Sequence, residues 1–220
     1  MNSSWKEIEN LHKGETGIVI GNGPSLRDVP LDFLTACPSF GTNRIYLLDG
    51  FTPTYYVAVN PLVLEQSKTE INRIDCKAKF IKSPFAKSWF GPAYPLKSSS
   101  IPGFSREPHE WIYEGHTVTY VCLQIAFYMG FETIILVGVD HRYEFEGQPN
   151  QEVTSQGPDA NHFHPDYFGE GVRWHNPDLY RAEMSYSMAN TVFEKAGCRI
   201  VNLTPESDLD VFEKGDISEW

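Results

Sequence analysis

Residues 17–26 read GIVIGNGPSL, in which three β-branched residues run directly into a turn that holds two glycines. β-branched residues favour strands, whereas Gly, Asn and Pro favour turns. Pro24 also suits the first turn of a helix, where the N–H that it lacks would have no partner. The stretch therefore predicts a strand that leads into a helix start. The two glycines leave two explanations open: a tight turn, or a backbone that approaches a ligand.

Similar strand-forming runs recur along the rest of the chain. Most are apolar throughout, which is typical of strands covered on both faces of a sheet. The predicted strands are residues 17–21, 39–43, 55–59, 78–81, 133–138 and 199–203. The helices predicted between them are residues 61–74, 117–129 and 178–196. This alternation predicts a Rossmann-like α/β fold, with a mainly parallel sheet and helices on both faces.

The length of 220 residues, 41% of them hydrophobic, suits one domain that spans residues 1–220. Two segments break the alternation of strands and helices. Residues 83–111 are rich in Pro, Ser, Gly and aromatic residues, and residues 141–177 are rich in His, Tyr, Asn and Gly. Loops of this length are typical of lids or mobile segments. Residues 141–177, the predicted lid, follow the carboxyl end of a central strand, where ligands bind in such sheets.

The composition argues against several classes of protein. A net charge of −11 and the lack of a long basic run argue against nucleic-acid binding. The cysteines form no Cys-x-x-Cys pair, and we expect buried free thiols at Cys37, Cys76, Cys122 and Cys198. No apolar stretch approaches the about 18 residues of a membrane span, and no signal-peptide core is present. We expect a cytoplasmic protein; peripheral contact with a membrane and self-association stay open.

Asparagines follow three of the predicted strands, at Asn22, Asn43 and Asn60. An asparagine side chain both donates and accepts hydrogen bonds, so several at one sheet edge could bind a base or a sugar, although each alone is more commonly a turn residue. Gly23 and Ser25 continue the first turn into a helix start, whose free N–H groups attract phosphate. The turn matches neither the Gly-x-Gly-x-x-Gly dinucleotide fingerprint nor a P-loop, since Leu26 follows Ser25.

Asp140 follows the predicted strand of residues 133–138 by two positions. Its carboxylate could bind a ribose hydroxyl or a metal, or cap the loop. Most of the histidines lie beyond residue 108, at His109, His116, His141, His162, His164 and His175. No cysteine pair or zinc-type spacing accompanies them, so we expect no metal site. A histidine of the lid is better suited to act as a general base, because imidazole titrates near neutral pH.

The order of these motifs resembles a known family. The stretches that carry the resemblance are IVIGNGPSL, GTNRIYLL, TPTYYVAVN, HTVTYVCLQIAFYMGFETIILVGVDH, NHFHPDYFG and RWHNPD. Together they resemble the MptE-like domain, which also forms the core of the motility accessory factors that glycosylate flagellin with nonulosonic acids. They also resemble, more weakly, the bacterial sialyltransferases of glycosyltransferase family 42. The resemblance covers roughly residues 16–212.

The resemblance to the sialyltransferases implies roles for individual residues. The residues that would hold the CMP-activated donor are Asn22, Gly23, Ser25, Asn43, Asn60, Thr117, Asp140 and Tyr143. Thr117 retains a hydroxyl where Val118-Thr119 replaces the family's Ser-Gly turn. The catalytic histidine of that family follows an Arg-x pair, which places the catalytic residues at Arg173 and His175, with His162 and His164 as rivals.

The resemblance thus implies a metal-independent transferase of the sialyltransferase type, which uses a CMP-activated nonulosonic acid and a glycan or protein acceptor. His175 would be the general base. The enzyme would use the CMP-sugar donor as a substrate and would need no cofactor. The MptE name implies an alternative, a 6-hydroxymethyl-dihydropterin diphosphokinase that uses ATP and magnesium. That chemistry needs carboxylates for the metal, for which Asp140, Asp159 and Asp166 are the candidates. A third alternative is a nucleotide-binding protein without catalysis.

Overall fold

The computed structural model describes residues 4–88 and 93–220. Its strands are β1 Thr16–Ile20, β2 Ser39–Thr42, β3 Tyr55–Ala58, β4 Ala78–Lys82, β5 Ala93–Leu96, β6 Ser98–Ser99, β7 Ile112–Tyr113, β8 Thr133–Val137, β9 Glu152–Thr154, β10 Arg173–His175, β11 Arg199–Asn202 and β12 Glu213–Lys214. Its α-helices are α1 Leu31–Thr35, α2 Pro61–Gln66, α3 Lys68–Arg73, α4 Val118–Tyr128 and α5 Leu179–Lys195. Short 3-10 helices, among them Pro24–Asp28, lie between them.

Eight strands form one parallel sheet in the order β12-β11-β8-β1-β2-β3-β4-β5. The chain builds outward from β1 to β5 and then returns to place β8 on the other side of β1. The crevice between β1 and β8 is therefore the switch point at which ligands bind in such sheets. All six strands predicted from the sequence are present, with ends within one residue of the prediction, and the predicted α/β fold is confirmed.

Side chains of the central strands alternate between two apolar layers, as the period of a strand requires. Ile18 and Ile20 pack in one layer with Val63 of α2, whereas Val19 packs in the other with Ala126 of α4. Helix α4 is almost wholly buried, since it packs on β1, β2 and β3 and also against α5, which itself contacts β11. Both faces of the sheet are thus covered, which explains why the strands are apolar throughout.

Two expectations from the sequence are corrected. Residues 83–111 contain sheet structure: β5 adds an edge strand to the main sheet, and β6 pairs with β7. Pro95 is compatible with β5 because only one side of an edge strand pairs with a neighbour; residues 89–92 lie outside the described residues. The helix predicted over residues 61–74 is divided at Ser67, whose backbone is not helical (φ −119°, ψ 21°).

The four cysteines are free, but only Cys122 is fully buried, and burial raises the pKa of its thiol. The other three are half-buried, so the expectation of buried thiols holds for one of the four. None of the helices in residues 4–88 and 93–220 is long and apolar enough to span a bilayer.

Candidate functional site

A cavity of about 460 Å³ lies at the carboxyl ends of the central strands, beneath the lid. Its volume is within the range of sites for small molecules. The loops after β1, β2, β3 and β8 contribute Asn22, Asn43, Asn60 and Asp140 to its lining, and the lid contributes His175. Residues that the sequence placed at separate strand ends are therefore brought together.

The two glycines of the first turn are required by a close approach of two loops. The Gly23 N–H donates to the Gly138 carbonyl (2.9 Å), and the Gly21 N–H donates to the Val137 carbonyl (2.8 Å). A Cβ on Gly21 would lie 2.3 Å from the Gly138 oxygen, and a Cβ on Gly23 would lie 1.9 Å from Asp140 Oδ2. The loop after β1 therefore packs directly on the loop after β8. The glycines serve this contact, whatever ligand the cavity holds.

Asp140 occupies the helix start that the sequence suggested for a phosphate. Its Oδ1 accepts a hydrogen bond from the Ser25 N–H (3.1 Å), and its Oδ2 accepts one from the Ser25 hydroxyl (2.7 Å). The expectation of free N–H groups at Pro24–Asp28 is thus corrected: the carboxylate accepts from the Ser25 N–H, and the Leu26 N–H donates to the Gly23 carbonyl (3.1 Å). Ser25 does not line the cavity, whereas Asp140 does.

Two asparagines that line the cavity have buried side-chain oxygens without a hydrogen-bond partner in the described part of the chain. Asn22 Nδ2 donates to Thr42 Oγ1 (2.8 Å) and to the Thr42 carbonyl (3.3 Å). These bonds fix the orientation of the amide, because turning it over would place Oδ1 against a carbonyl oxygen. Asn22 Oδ1 and Asn43 Oδ1 are both buried with no hydrogen-bond partner among the described residues. A ligand with N–H or O–H groups would satisfy them.

Asn60 and Thr117 have structural roles at helix starts. Asn60 Oδ1 accepts from the Leu62 N–H (2.9 Å) and caps α2. Thr117 Oγ1 accepts from the Thr119 N–H (3.3 Å) and caps α4, and it lies 3.3 Å from the Tyr186 hydroxyl. Both residues line the cavity. Their contact with a ligand stays a prediction.

His175 lies on β10, which pairs with β9 in a hairpin of the lid. Its side chain is 37% exposed, and its Nε2 lies 4.0 Å from Glu152 Oε2. Arg173 does not line the cavity: it pairs with Glu152 (3.2 Å) and Glu65 (3.8 Å), and its main chain bonds to Gln66 of α2. Arg173 thus joins the pair β9–β10 to α2, and its catalytic role stays a prediction.

The rival histidines differ in their surroundings. His162 is buried, lines the cavity and stacks on Tyr167 with ring centroids 3.9 Å apart, and its Nδ1 lies 2.8 Å from Asp159 Oδ2. Burial alone would raise the pKa of Asp159, but hydrogen bonds from His162 and from two backbone N–H groups lower it. His164 lies outside the cavity lining, and its Nδ1 accepts from the Asp166 N–H (3.1 Å).

Hydrogen bonds at His162 and Phe163 attach the lid to the loop after β1 and to the 3-10 helix that follows it. Arg27 donates to the carbonyls of His162 (2.9 Å) and Phe163 (2.7 Å), and the Phe163 N–H donates to the Asn22 carbonyl (3.0 Å). Tyr143, half-buried on the cavity wall, has its pKa raised by burial and by Tyr186 and Asp140, so its hydroxyl stays protonated at neutral pH. The lid thus supplies a hydrogen-bond donor to the cavity.

Residues 1–146 match a family model described as 6-hydroxymethylpterin diphosphokinase MptE-like. The chain belongs to the MptE-like family. The resemblance that the sequence motifs carried is confirmed by this match, which ends inside the lid. His162, His175 and α5 lie beyond the matched part of this MptE-like chain.

A solved structure extends the comparison to most of the MptE-like chain. It is described as the sialyltransferase CstII from Campylobacter jejuni in complex with a substrate analogue, cytidine-5'-monophosphate. The likeness has a TM-score of 0.51 and a sequence identity of 14%, and it covers 92% of this chain and 85% of that one. At this identity the likeness shows a shared fold. A search of curated protein sequences gave no match.

The MptE-like cavity also contains residues that the sequence analysis did not assign. Three of them are His116, His141 and Asn176. His141 follows Asp140 directly, so its place after a central strand was a usable signal. Burial lowers the pKa of His141, while Glu183, whose Oε2 lies 3.7 Å from its Nε2, partly opposes the effect. Asn176 carried no signal, because its place depends on how the lid folds back.

Proposed function

We propose that this MptE-like chain is a metal-independent glycosyltransferase that binds a CMP-activated nonulosonic acid. The observation that carries the proposal is that Asn22 and Asn43 both line the cavity and that each has a buried side-chain oxygen without a hydrogen-bond partner among the described residues. Cytidine presents an exocyclic amino group, and its ribose presents hydroxyls, so a cytidine nucleotide supplies the donors that these oxygens lack. The shared fold with a sialyltransferase solved with CMP supports the same choice.

The start of α4 is the proposed place for the phosphate. Thr117, Val118 and Thr119 line the cavity there, at the positive end of a buried helix of 11 residues. Tyr143 adds a protonated hydroxyl from the lid. The helix start at Pro24–Asp28 is less suitable, because the Asp140 carboxylate that caps it would repel a phosphate, whereas the cap of α4 is the neutral hydroxyl of Thr117.

In the proposed reaction, an acceptor hydroxyl attacks the anomeric carbon of the bound sugar. The bond from that carbon to the phosphate oxygen breaks, and its electron pair leaves with CMP. His175 takes the proton of the hydroxyl as general base. The Glu152 carboxylate, 4.0 Å from His175 Nε2, stabilises the imidazolium that forms. The acceptor is a glycan or a protein side chain.

The family description favours a second candidate, a pterin diphosphokinase that uses ATP and magnesium. Within residues 4–88 and 93–220, no group of three His, Cys, Asp or Glu side chains is arranged to hold a metal ion. Asp140 is bonded to Ser25, Asp159 is bonded to His162, and Asp166 lies outside the cavity lining. Glu114 and Asp178, which also line the cavity, accept hydrogen bonds from Lys82 and Asn150. Every carboxylate of the cavity lining is thus already engaged within the protein, and we rank this candidate second.

Thermal melts with CMP, CDP, UDP and ATP, each with and without magnesium, test the proposal. We expect CMP to raise the Tm without added metal, since a ligand at 100 times its Kd adds about 2.7 kcal/mol. Stabilisation by ATP alone, and only with magnesium, would favour the diphosphokinase. No response to any nucleotide would contradict both.

A matched pair of variants tests the asparagine argument. Asn22→Ala removes an unpartnered oxygen inside the cavity and should abolish the shift with CMP. Asn72→Ala removes an oxygen that is equally buried and unpartnered but lies outside the cavity lining. It should leave the shift unchanged.

A further inference from the structure

Asn176 follows His175 in the lid and has no part in the nucleotide contacts proposed above. It is 2% exposed and lines the cavity. Its Nδ2 donates to the carbonyls of Glu146 (2.7 Å) and Gln148 (3.2 Å), which lie on another stretch of the lid. The side chain therefore holds two parts of the lid together through its nitrogen.

These two carbonyls also fix the orientation of the amide. Turning it over would bring Oδ1 against two oxygens that can only accept hydrogen bonds. Asn176 Oδ1 is left buried, without a hydrogen-bond partner among the described residues. A buried acceptor without a partner is unfavourable, and its place in the cavity lining indicates a ligand that supplies the donor.

We propose that Asn176 determines specificity for the group attached to the nucleotide, by accepting a hydrogen bond from a hydroxyl or an amide N–H of that group. The inference rests on the proposed function. Asn22 and Asn43 follow β1 and β2 at the sheet edge, whereas Asn176 belongs to the lid, next in sequence to the proposed base. A base must lie near the reacting carbon, and both His175 and Asn176 line the cavity, so we place the transferred sugar on the lid side of the cavity, within reach of Asn176. Nonulosonic acids carry hydroxyl and acylamino groups, which are such donors.

Isothermal titration calorimetry with two probes tests this assignment. One probe is CMP, and the other is a CMP-nonulosonate in which a fluorine next to the anomeric carbon blocks transfer. We expect wild type to bind the fluorinated probe more tightly than CMP. Asn176→Ala should weaken the fluorinated probe about tenfold, as for one lost hydrogen bond, and CMP by less than about twofold.

Gln66→Ala is the matched control, since Gln66 also holds the lid by two hydrogen bonds, to the Arg173 N–H and carbonyl, outside the cavity lining. It should leave both affinities within about twofold. An equal loss for both probes in Asn176→Ala, or a matching loss in Gln66→Ala, would overturn the inference, because Asn176 would then only hold the lid. The inference would also be overturned if the wild-type protein bound CMP and bound the fluorinated CMP-nonulosonate no more tightly than CMP. Wild type that binds neither probe would overturn the proposed function itself.

Discussion

Gly21 and Gly23 face different obstacles, and their substitution should have different effects. A Cβ on Gly21 meets the main chain of Gly138, whereas one on Gly23 first meets the Asp140 carboxylate, which can rotate away. We expect Gly21→Ala to lower the free energy of unfolding by more than about 3 kcal/mol. Gly23→Ala should lower it by about 1–3 kcal/mol, through loss of the bonds from Ser25 to Asp140. Urea denaturation measures both.

Gly157→Ala is the control for these variants, because no atom lies within 4 Å of the added Cβ. Equal losses of stability for Gly21→Ala and Gly23→Ala would contradict the assignment. We also expect Gly23→Val to lose CMP binding, because its side chain would displace the Asp140 carboxylate into the cavity.

His175 is the residue whose substitution should affect turnover most. His175→Ala should reduce turnover by about 10²–10⁴-fold, the usual contribution of a general base. CMP affinity should stay within a few-fold, since the base contacts the acceptor. Steady-state rates and CMP titrations measure the two effects. His162→Ala should reduce the rate less and disturb the lid more, because His162 packs on Tyr167 and bonds to Asp159. A larger rate loss in His162→Ala would transfer the role to His162.

At the scale of elements, the lid depends on Arg27 for its attachment. Arg27→Ala removes two charged hydrogen bonds to the lid carbonyls. We expect amide exchange in residues 159–168 to rise about tenfold or more, while exchange in β1 and β8 stays slow. Hydrogen exchange read by mass spectrometry measures this. Arg106→Ala, which removes a cation above the Phe127 ring and no lid contact, should change neither region; unchanged exchange in Arg27→Ala would show that the lid is held elsewhere.

The strands show what a local pattern can predict. β1 and β8 are apolar runs buried on both faces, so their composition alone was enough to predict them as strands. β5, with Pro95, and the hairpin of β9 and β10 have mixed or exposed side chains. Their pairing depends on partners elsewhere in the fold, which no local pattern records.

The candidate site also has one part that could be predicted from the sequence and one part that could not. Asn22, Asn43 and Asp140 could be placed together from the sequence, because parallel strands end at one edge. Their individual roles could not be predicted, since these depend on contacts such as the hydrogen bond from the Ser25 hydroxyl to Asp140, two residues that lie 115 positions apart along the chain. Asn176 and the pairing of His162 with Asp159 depend on the fold of the lid. The residues of the sheet edge could thus be placed in the cavity from the sequence, whereas the contacts that the lid residues make with one another could not.

At the scale of the whole molecule, His141 couples stability to pH. Its pKa is lowered by burial, against opposition from Glu183 and Asp208. Between the free value of about 6.5 and the folded pKa, the unfolded chain binds more protons. The contribution of neutral His141 to the free energy of unfolding is therefore complete above about pH 6.5 and is lost as the pH falls below it. We expect the Tm to drop between pH 7.5 and pH 5.5, and His141→Gln to reduce that drop. His109→Gln, at a half-exposed side chain, should leave it unchanged, and an equal drop in all three proteins would exclude His141 as the cause.

The contact between Asp140 and the turn of Gly23 and Ser25 has an evolutionary consequence. A side chain at Gly23 would collide with the Asp140 carboxylate, and loss of that carboxylate would leave the Ser25 N–H and hydroxyl without their acceptor, so a change at one of these positions favours a change at the others. Across the family, the glycine and serine of the first turn should therefore co-vary with an acid at the end of the fifth predicted strand. Homologues that lack the acid should also lack the serine and carry a free helix start, which could then accept a phosphate. We therefore expect the two distant motifs to be inherited together, and a search for relatives that requires both should be more selective.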